Sequence, residues 1–213
     1  DRLYTVQDVS IEHRMLRHFD MVSGTAETES YLVTLTRLPR SWRDKLSDGV
    51  FFIMNASNVY RELDQILKTR SNPIRVGIRK FVQDLSVIDQ QRIEEVYGGS
   101  DGITLFDLWV IGREYRVSFI LLEKDKVDII GNADRYIIVH FSPDEGYRLV
   151  ISNTKTKLFT EDKLPDYLRS FPRHVYNLNQ ILSLRPVNEE TESSATSTVS
   201  VKRVFKRKHP SKV

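Results

Sequence analysis

A weak internal repeat is the sequence feature that most limits how this chain can fold. Residues 63–70 read LDQILKTR and residues 178–185 read LNQILSLR, with five of the eight positions identical. Each copy ends a helical pattern that follows a group of strand-like segments. The repeat therefore predicts one supersecondary unit that is used twice.

Composition narrows the class of protein. The 213 residues, 40% hydrophobic and 29% charged, suit one well-packed domain or two small ones rather than a disordered chain. There is no cysteine, which excludes disulfides and thiolate chemistry. The longest apolar runs, such as residues 117–122, fall far below the ~20 residues of a membrane-spanning helix. The sequence starts at Asp1, so we expect either a cleaved targeting segment or further residues before it.

The patterns along the chain predict alternating groups of strands and helices. β-Branched and aromatic residues predict strands at 31–36 and 50–54, followed by a helix that begins near residues 55–57 and ends before Pro73. A strand at 74–80 and a helix at 82–96 come next. Further strands are predicted at 103–111, 115–122, 127–130, 136–141 and 147–152. A helical segment with the second copy of the repeat ends at Pro186.

These patterns predict an α+β fold. We expect two antiparallel sheet-and-helix units, a repeated ββββα arrangement, packed around a shared core. The predicted boundaries are residues 1–80 for the first unit, 81–102 for a connecting helix and turn, 103–186 for the second unit, and 187–213 for a flexible linker and basic tail.

Two basic clusters in the first half predict contacts with nucleic acid. Residues 37–45 surround Trp42 with cations, and guanidinium groups bind phosphate while an exposed indole stacks on an unpaired base. The alternative is a solvated loop whose tryptophan caps the edge of the core. Arg75, Arg79 and Lys80 form the second cluster, which is also typical of an ordinary exposed strand face.

Further basic positions lie in the second half and the tail. Arg116, Arg148 and His140 alternate with apolar residues, which predicts either a basic platform or the wet side of an antiparallel sheet. Residues 199–213 carry six lysines and arginines and no acid, although the whole chain is only +3. Such an arm binds phosphates by counterion release, and it is also typical of nuclear import signals, anionic-membrane contacts and partner-binding peptides. The predicted nucleic-acid-binding residues are Arg37, Arg40, Trp42, Arg43, Lys45, Arg75, Arg79, Lys80, Arg116, Arg148, Lys202, Arg203, Lys206, Arg207 and Lys208.

The sequence contains none of the common catalytic or metal-binding motifs. Its five histidines lack zinc-site spacing, and the glycine-rich phosphate loops and the Gly-x-Ser-x-Gly motif of hydrolases are absent. We therefore predict no enzymatic activity, no cofactor and no metal.

The repeated order of strands and helix, with the recurring octet and the basic tail, resembles the Whirly-type and PUR-type single-stranded nucleic-acid-binding folds. Among these it is most similar to the kinetoplastid mitochondrial RNA-binding proteins. The resemblance covers roughly residues 3–186 at the level of topology. It implies oligomerisation with a related subunit, stacking of bases on the sheet, and a mitochondrial matrix location; a nuclear or cytoplasmic location is the alternative.

The function predicted from the sequence is non-enzymatic binding of RNA or single-stranded DNA in a larger assembly. One alternative is a structural subunit of a ribonucleoprotein or viral assembly, anchored by the basic tail. A second alternative is a RelE-like ribonuclease. The predicted strand at 105–111, followed by Tyr-Arg-Val-Ser-Phe at 115–119, resembles part of those toxins.

Overall fold

The computed structural model describes residues 33–69, 72–100 and 102–184, which form an α+β fold. Its strands are β1 (Thr34–Arg37), β2 (Phe51–Asn55), β3 (Ser118–Glu123), β4 (Lys126–Ile130), β5 (Arg135–Ser142), β6 (Gly146–Ser152), β7 (Phe159–Thr160) and β8 (Arg173–His174). Its helices are α1 (Arg40–Lys45), α2 (Val59–Leu67), α3 (Ile74–Gln83), α4 (Val87–Tyr97), α5 (Leu105–Tyr115), α6 (Asp166–Arg169) and α7 (Leu178–Ser183). The predicted basic tail and residues 1–32 of the first predicted unit lie outside the described residues.

The strands form a single mixed sheet in the order β1-β2-β6-β5-β3-β4-β8, with β7 paired to β5. β3 and β5 run parallel, with Ile120 opposite Ile138, and β4 and β8 are also parallel. β2 from the first half pairs antiparallel with β6 from the second half, with Ile53 opposite Val150. The α+β class is confirmed, but the repeated ββββα arrangement is not shown, because both halves contribute strands to one continuous sheet.

Helices cover both faces of this sheet. On one face, α2, α3, α4, α5 and α7 pack against a core that includes Phe119 and Ile137. On the other face, α1, α6 and β7 pack against a second core that includes Ile120 and Ile138. A strand buried on both sides reads as a continuous apolar run instead of an alternating one, as β3 does at residues 119–122.

Helix α5 is the centre of the larger core. All of its residues from Leu105 to Ile111 are buried. Its start is fixed by a capping box, in which Asp107 N donates to Thr104 Oγ1 (3.2 Å) and Thr104 N donates to Asp107 Oδ2 (2.7 Å). The predicted strand at 103–111 is therefore wrong, because a helix buried all round loses the 3.6-residue pattern and reads like a buried strand.

Two further sequence predictions differ from the structure. Residues 74–80 form most of helix α3, not a strand, because Ile74, Ile78 and Phe81 share one helical face and pack on the core while Val76 is 52% exposed. Residues 40–45 of the predicted basic loop form helix α1. The strands predicted near 50–54, 127–130, 136–141 and 147–152 are confirmed.

The first five residues of one copy of the repeat lie in α2, and the first six of the other form α7. Leu63 and Ile181 are fully buried in the same core. The copies are thus two short helices on one face of one sheet. Within the described residues, no helix is long and apolar enough to span a membrane.

Candidate functional site

A cleft of about 980 Å³ lies at one end of the sheet, where β5 turns into β6. We call it the hairpin cleft. Three loops and the first turn of α3 form its walls, and they comprise residues 55–60, 100, 102–103, 143–148 and Arg75. The cleft thus lies beyond the carboxyl end of β5, which pairs in parallel with β3, and ligand sites of sheets with parallel strands favour that end. Gly146 closes the hairpin with a φ of 67°, a left-handed conformation that favours glycine.

A hydrogen-bond network around Asp107 holds one wall in place. Tyr60 Oη donates to Asp107 Oδ2 (2.8 Å), and Thr104 Oγ1 donates to the same oxygen (2.8 Å). Burial, followed by the negative charge of Asp107, raises the pKa of Tyr60 well above its ordinary value. The phenol therefore stays neutral and keeps donating, so the start of α2 is tied to the start of α5.

Arg75 presents a cation on this wall. Its Cζ lies 4.6 Å from the centroid of the Tyr60 ring, which is a cation–π contact. Arg75 is exposed, and Arg79 follows one helical turn later on the same helix. The ring fixes the orientation of the guanidinium group while leaving it accessible to a ligand.

Arg148 lies on the opposite wall and is mostly buried, with 13% of its side chain exposed. Its Nη1 donates to Asn55 Oδ1 (2.7 Å) and forms an ion pair with Glu145. Arg148 Nε, His140 Nδ1 and Ser142 Oγ are buried polar atoms that have no hydrogen-bond partner in the described part of the chain. Such atoms cost free energy and cluster at functional sites, so this end of β5 and β6 is the least satisfied part of the sheet.

His140 adjoins Arg148 in the β5–β6 register, and its titration gives a testable consequence. Burial, and then the charge of Arg148, lower the pKa of His140 from 6.5 to about 4. Between pH 6.5 and about 4, the unfolded chain takes up a proton on this ring and the folded protein does not. The contribution of His140 to stability is therefore complete above pH 6.5 and is lost as the pH falls towards 4. We expect a loss on the order of 2 kcal/mol in the free energy of unfolding.

Urea denaturation of the wild type and of His140→Gln, at neutral pH and near pH 4, measures this loss. The variant should lose less stability between the two pH values than the wild type does. An equal loss in both proteins would contradict the neutral, buried state of His140.

Charge is divided between the two walls of the hairpin cleft. Arg75 stands on the helical wall. The hairpin carries the exposed Asp144 and Glu145, of which Glu145 is paired with Arg148 on the same wall. Asparagine and serine side chains and the exposed backbone at Gly102 lie between them. The lining offers hydrogen-bond donors and acceptors together with both signs of charge.

The described residues lack a metal-binding cluster, and the described lining of the hairpin cleft lacks a histidine. They contain no group of three or more histidines, aspartates and glutamates that could hold a metal ion. The hydroxyl of Thr104 next to the cleft is engaged in capping α5. Among the described residues that line the cleft, none is a histidine.

The structure brings together only some of the residues predicted to bind nucleic acid. Arg75 and Arg148 both line the hairpin cleft, and Arg79 is adjacent. Arg40, Arg43 and Lys45 lie on α1, on the other face of the sheet, and Arg37 ends β1 opposite Phe52. Lys80 is exposed on α3, and Arg116 is at the far end of α5. Lys202, Arg203, Lys206, Arg207 and Lys208 lie outside the described residues.

The exposed indole and the basic sheet platform predicted from the sequence are wrong. Trp42 is 1% exposed and belongs to the second core, so its indole is closed to a base. Lys45 Nζ lies 4.7 Å from the centroid of that ring. Tyr136 and His140 are also buried, because helices and β7 cover the face of the sheet that was expected to be wet.

Sequence reasoning missed Tyr60, Asp107, Asp144 and Glu145. The pair Thr104 and Asp107 has the spacing of a capping box, which could have marked the start of a helix. The role of Tyr60 depends on a contact with a residue 47 positions away, and no local pattern predicts it.

No protein-family model matches this chain, and no curated protein matches it either. One similar solved structure is an ovarian tumor (OTU) domain in complex with ubiquitin. Its TM-score is 0.39 and its sequence identity is 12%, and the match covers 70% of this chain and 91% of that chain. A TM-score of this size assigns neither substrate nor mechanism to the present protein.

Three predictions are corrected. The resemblance to Whirly-type and PUR-type proteins is wrong, since the strands form one mixed sheet in place of two repeated units. The non-enzymatic nucleic-acid-binding function and the prediction of no enzyme depended on that resemblance and on an exposed Trp42, which is buried, so both are withdrawn. The ribonuclease alternative depended on a strand at 105–111, and these residues lie in helix α5. The predicted partners and the mitochondrial location stay predictions.

Proposed function

We propose that this protein is a protein-recognition domain whose hairpin cleft binds an extended segment of a partner polypeptide. The division of charge between the two walls carries the proposal. An extended polypeptide presents main-chain hydrogen-bonding groups about every 3.3 Å and can carry side chains of both signs. Arg75 would bind an acidic side chain, and Asp144, next to the Glu145–Arg148 pair, would bind a basic one.

The size and lining of the cleft support a polypeptide over a small apolar ligand. At about 980 Å³ the cleft lies at the upper end of the range of small-molecule sites, and polar side chains supply much of its lining. A small apolar ligand would leave those polar groups without partners. A peptide main chain can satisfy them along its length.

The charged groups are held in place before any ligand arrives. Arg75 rests on Tyr60, which Asp107 fixes, and Asn55 with Glu145 holds Arg148. Ordering of long side chains costs about 0.5–1.5 kcal/mol each on binding, and a preorganised site avoids much of that cost.

A peptide array probed with the full chain tests the proposal. We expect the bound peptides to carry both a basic and an acidic residue. Arg75→Glu should remove the preference for the acidic residue, and Asp144→Lys should remove the preference for the basic one, each with a loss of about tenfold or more in affinity for wild-type peptides.

Arg43→Glu and Glu95→Lys are the matched controls, since both residues are exposed and lie outside the hairpin cleft. They should leave the selected peptides unchanged. The proposal fails if the wild type binds no peptide, or if both cleft variants select the same peptides as the wild type.

A further inference from the structure

A second cleft, of about 630 Å³, lies at the other end of helix α5. We call it the arginine cleft. The last turns of α5, the turn between β4 and β5 at residues 130–133, and residues 175–177 with Gln180 enclose it. It shares no lining residue with the hairpin cleft, so it is a separate feature of the molecule.

The charge of this cleft has one sign. Arg113 and Arg116 are its charged lining residues among those described, and the lining includes no aspartate or glutamate. In contrast to Arg148, neither guanidinium forms an ion pair within the described part of the chain. Two unpaired guanidinium groups in one concave site favour an anion.

The aromatic floor orients one of the two cations. Arg113 Cζ lies 4.7 Å from the centroid of the Trp109 ring and 5.9 Å from that of Phe81. Trp109 is itself fixed, because its Nε1 donates to the backbone oxygen of Tyr176 (2.8 Å). A planar guanidinium stacked in this way keeps its N–H edges free for a ligand.

The other cation occupies a costly backbone position. Arg116 ends α5 with a φ of 51°, in the left-handed region where helices most often place glycine. Arg135 Nη2 donates to the backbone oxygens of Tyr115 (2.7 Å) and Arg116 (3.3 Å), and so braces this corner. In this position Arg116 lines the arginine cleft together with Arg113.

We propose that the arginine cleft binds the phosphate of a small phosphate monoester. A monoester dianion matches the two cations in charge, and its three terminal oxygens can accept from both guanidinium forks. The side-chain amides of Asn132 and Gln180 provide further donors at the rim. The volume exceeds that of a phosphate alone and falls within the range of small-molecule sites, so the remaining space, next to Val175, takes the organic body.

The two tryptophans of the chain provide a direct measurement. Trp109 lines the arginine cleft, and Trp42 lies in the core on the other face of the sheet. We expect phenyl phosphate, added at constant ionic strength, to shift the indole N–H signal of Trp109 saturably in a ¹H–¹⁵N spectrum. The signal of Trp42, assigned with Trp42→Phe, should not move.

Arg113→Ala and Arg116→Gly should each weaken phenyl phosphate binding at least tenfold. Glycine suits the backbone at position 116, so Arg116→Gly should keep or raise the Tm, and loss of binding cannot then be assigned to misfolding. Arg43→Ala, which removes an exposed arginine from α1, should bind like the wild type.

Three results would overturn the proposal. The first is an unsaturable response or one that the two arginine variants do not change. The second is inorganic phosphate binding as tightly as phenyl phosphate, which would make this a free-ion site. The third is binding of single-stranded RNA through Arg113 and Arg116 that phenyl phosphate does not compete with. This result would show that the ligand is a nucleic acid and not a small phosphate monoester.

Discussion

Replacement of Trp42 by alanine is expected to lower the free energy of unfolding by about 3–5 kcal/mol. The indole is 1% exposed and belongs to the core that α1, α6 and β7 form against the sheet. Its removal deletes a large apolar surface and leaves a cavity under a helix of only six residues, which can do little to refill it. Urea denaturation of the purified variant measures the loss.

Arg43→Ala is the matched control, because it changes the next residue of the same helix at an exposed position. It should alter stability by less than about 0.5 kcal/mol. A loss below about 1 kcal/mol in Trp42→Ala would contradict the buried position of the indole and would favour the exposed loop predicted from the sequence.

Replacement of Lys157 by alanine is expected to cost about 3–5 kcal/mol, because it leaves a buried carboxylate without its cation. Lys157 Nζ lies 3.0 Å from Glu62 Oε2, and the two side chains are 15% and 2% exposed. The pair joins α2, whose first residues line the hairpin cleft, to the segment after β6. Its loss should therefore reduce binding at the cleft as well as stability.

A double-mutant cycle separates the pair from its surroundings. The cycle uses Glu62→Gln, Lys157→Met and their combination. The double variant removes both charges and should recover a large part of the stability lost in Lys157→Met alone. Denaturant midpoints of the single and double variants measure the coupling energy. If the effects of the two single changes simply add, the ion pair is not the cause of the loss.

Local sequence patterns predicted several strands correctly, took two helices at 74–80 and 103–111 for strands, and failed to predict the sheet. β2, β5 and β6 were expected near their observed positions, because short apolar runs between turn residues mark strands. The pairing of β2 with β6 joins residues almost a hundred positions apart, such as Ile53 and Val150. A pattern with a period of two or 3.6 residues contains no information on that pairing, so two separate units were expected in place of one sheet.

The candidate site, like the fold, was predicted from the sequence only in part. Arg75 and Arg148 were predicted as ligand-binding residues from their charge, and the structure places both in the hairpin cleft. Trp42 was misread because an indole among cations looks the same in a sequence whether it faces solvent or the core. Tyr60 and Asp107 acquire their roles only when α2 and α5 meet, which depends on the fold and not on the residues near either position.

The central claim, that the hairpin cleft binds a polypeptide, is tested most directly by mapping backbone amide shifts during titration with the tightest peptide from the array. We predict that the largest changes fall in residues 55–60, 102–103 and 143–148, which surround the cleft. Changes concentrated at residues 112–116 and 130–133, the walls of the arginine cleft, would contradict the claim, and so would a saturating peptide that leaves residues 143–148 unshifted.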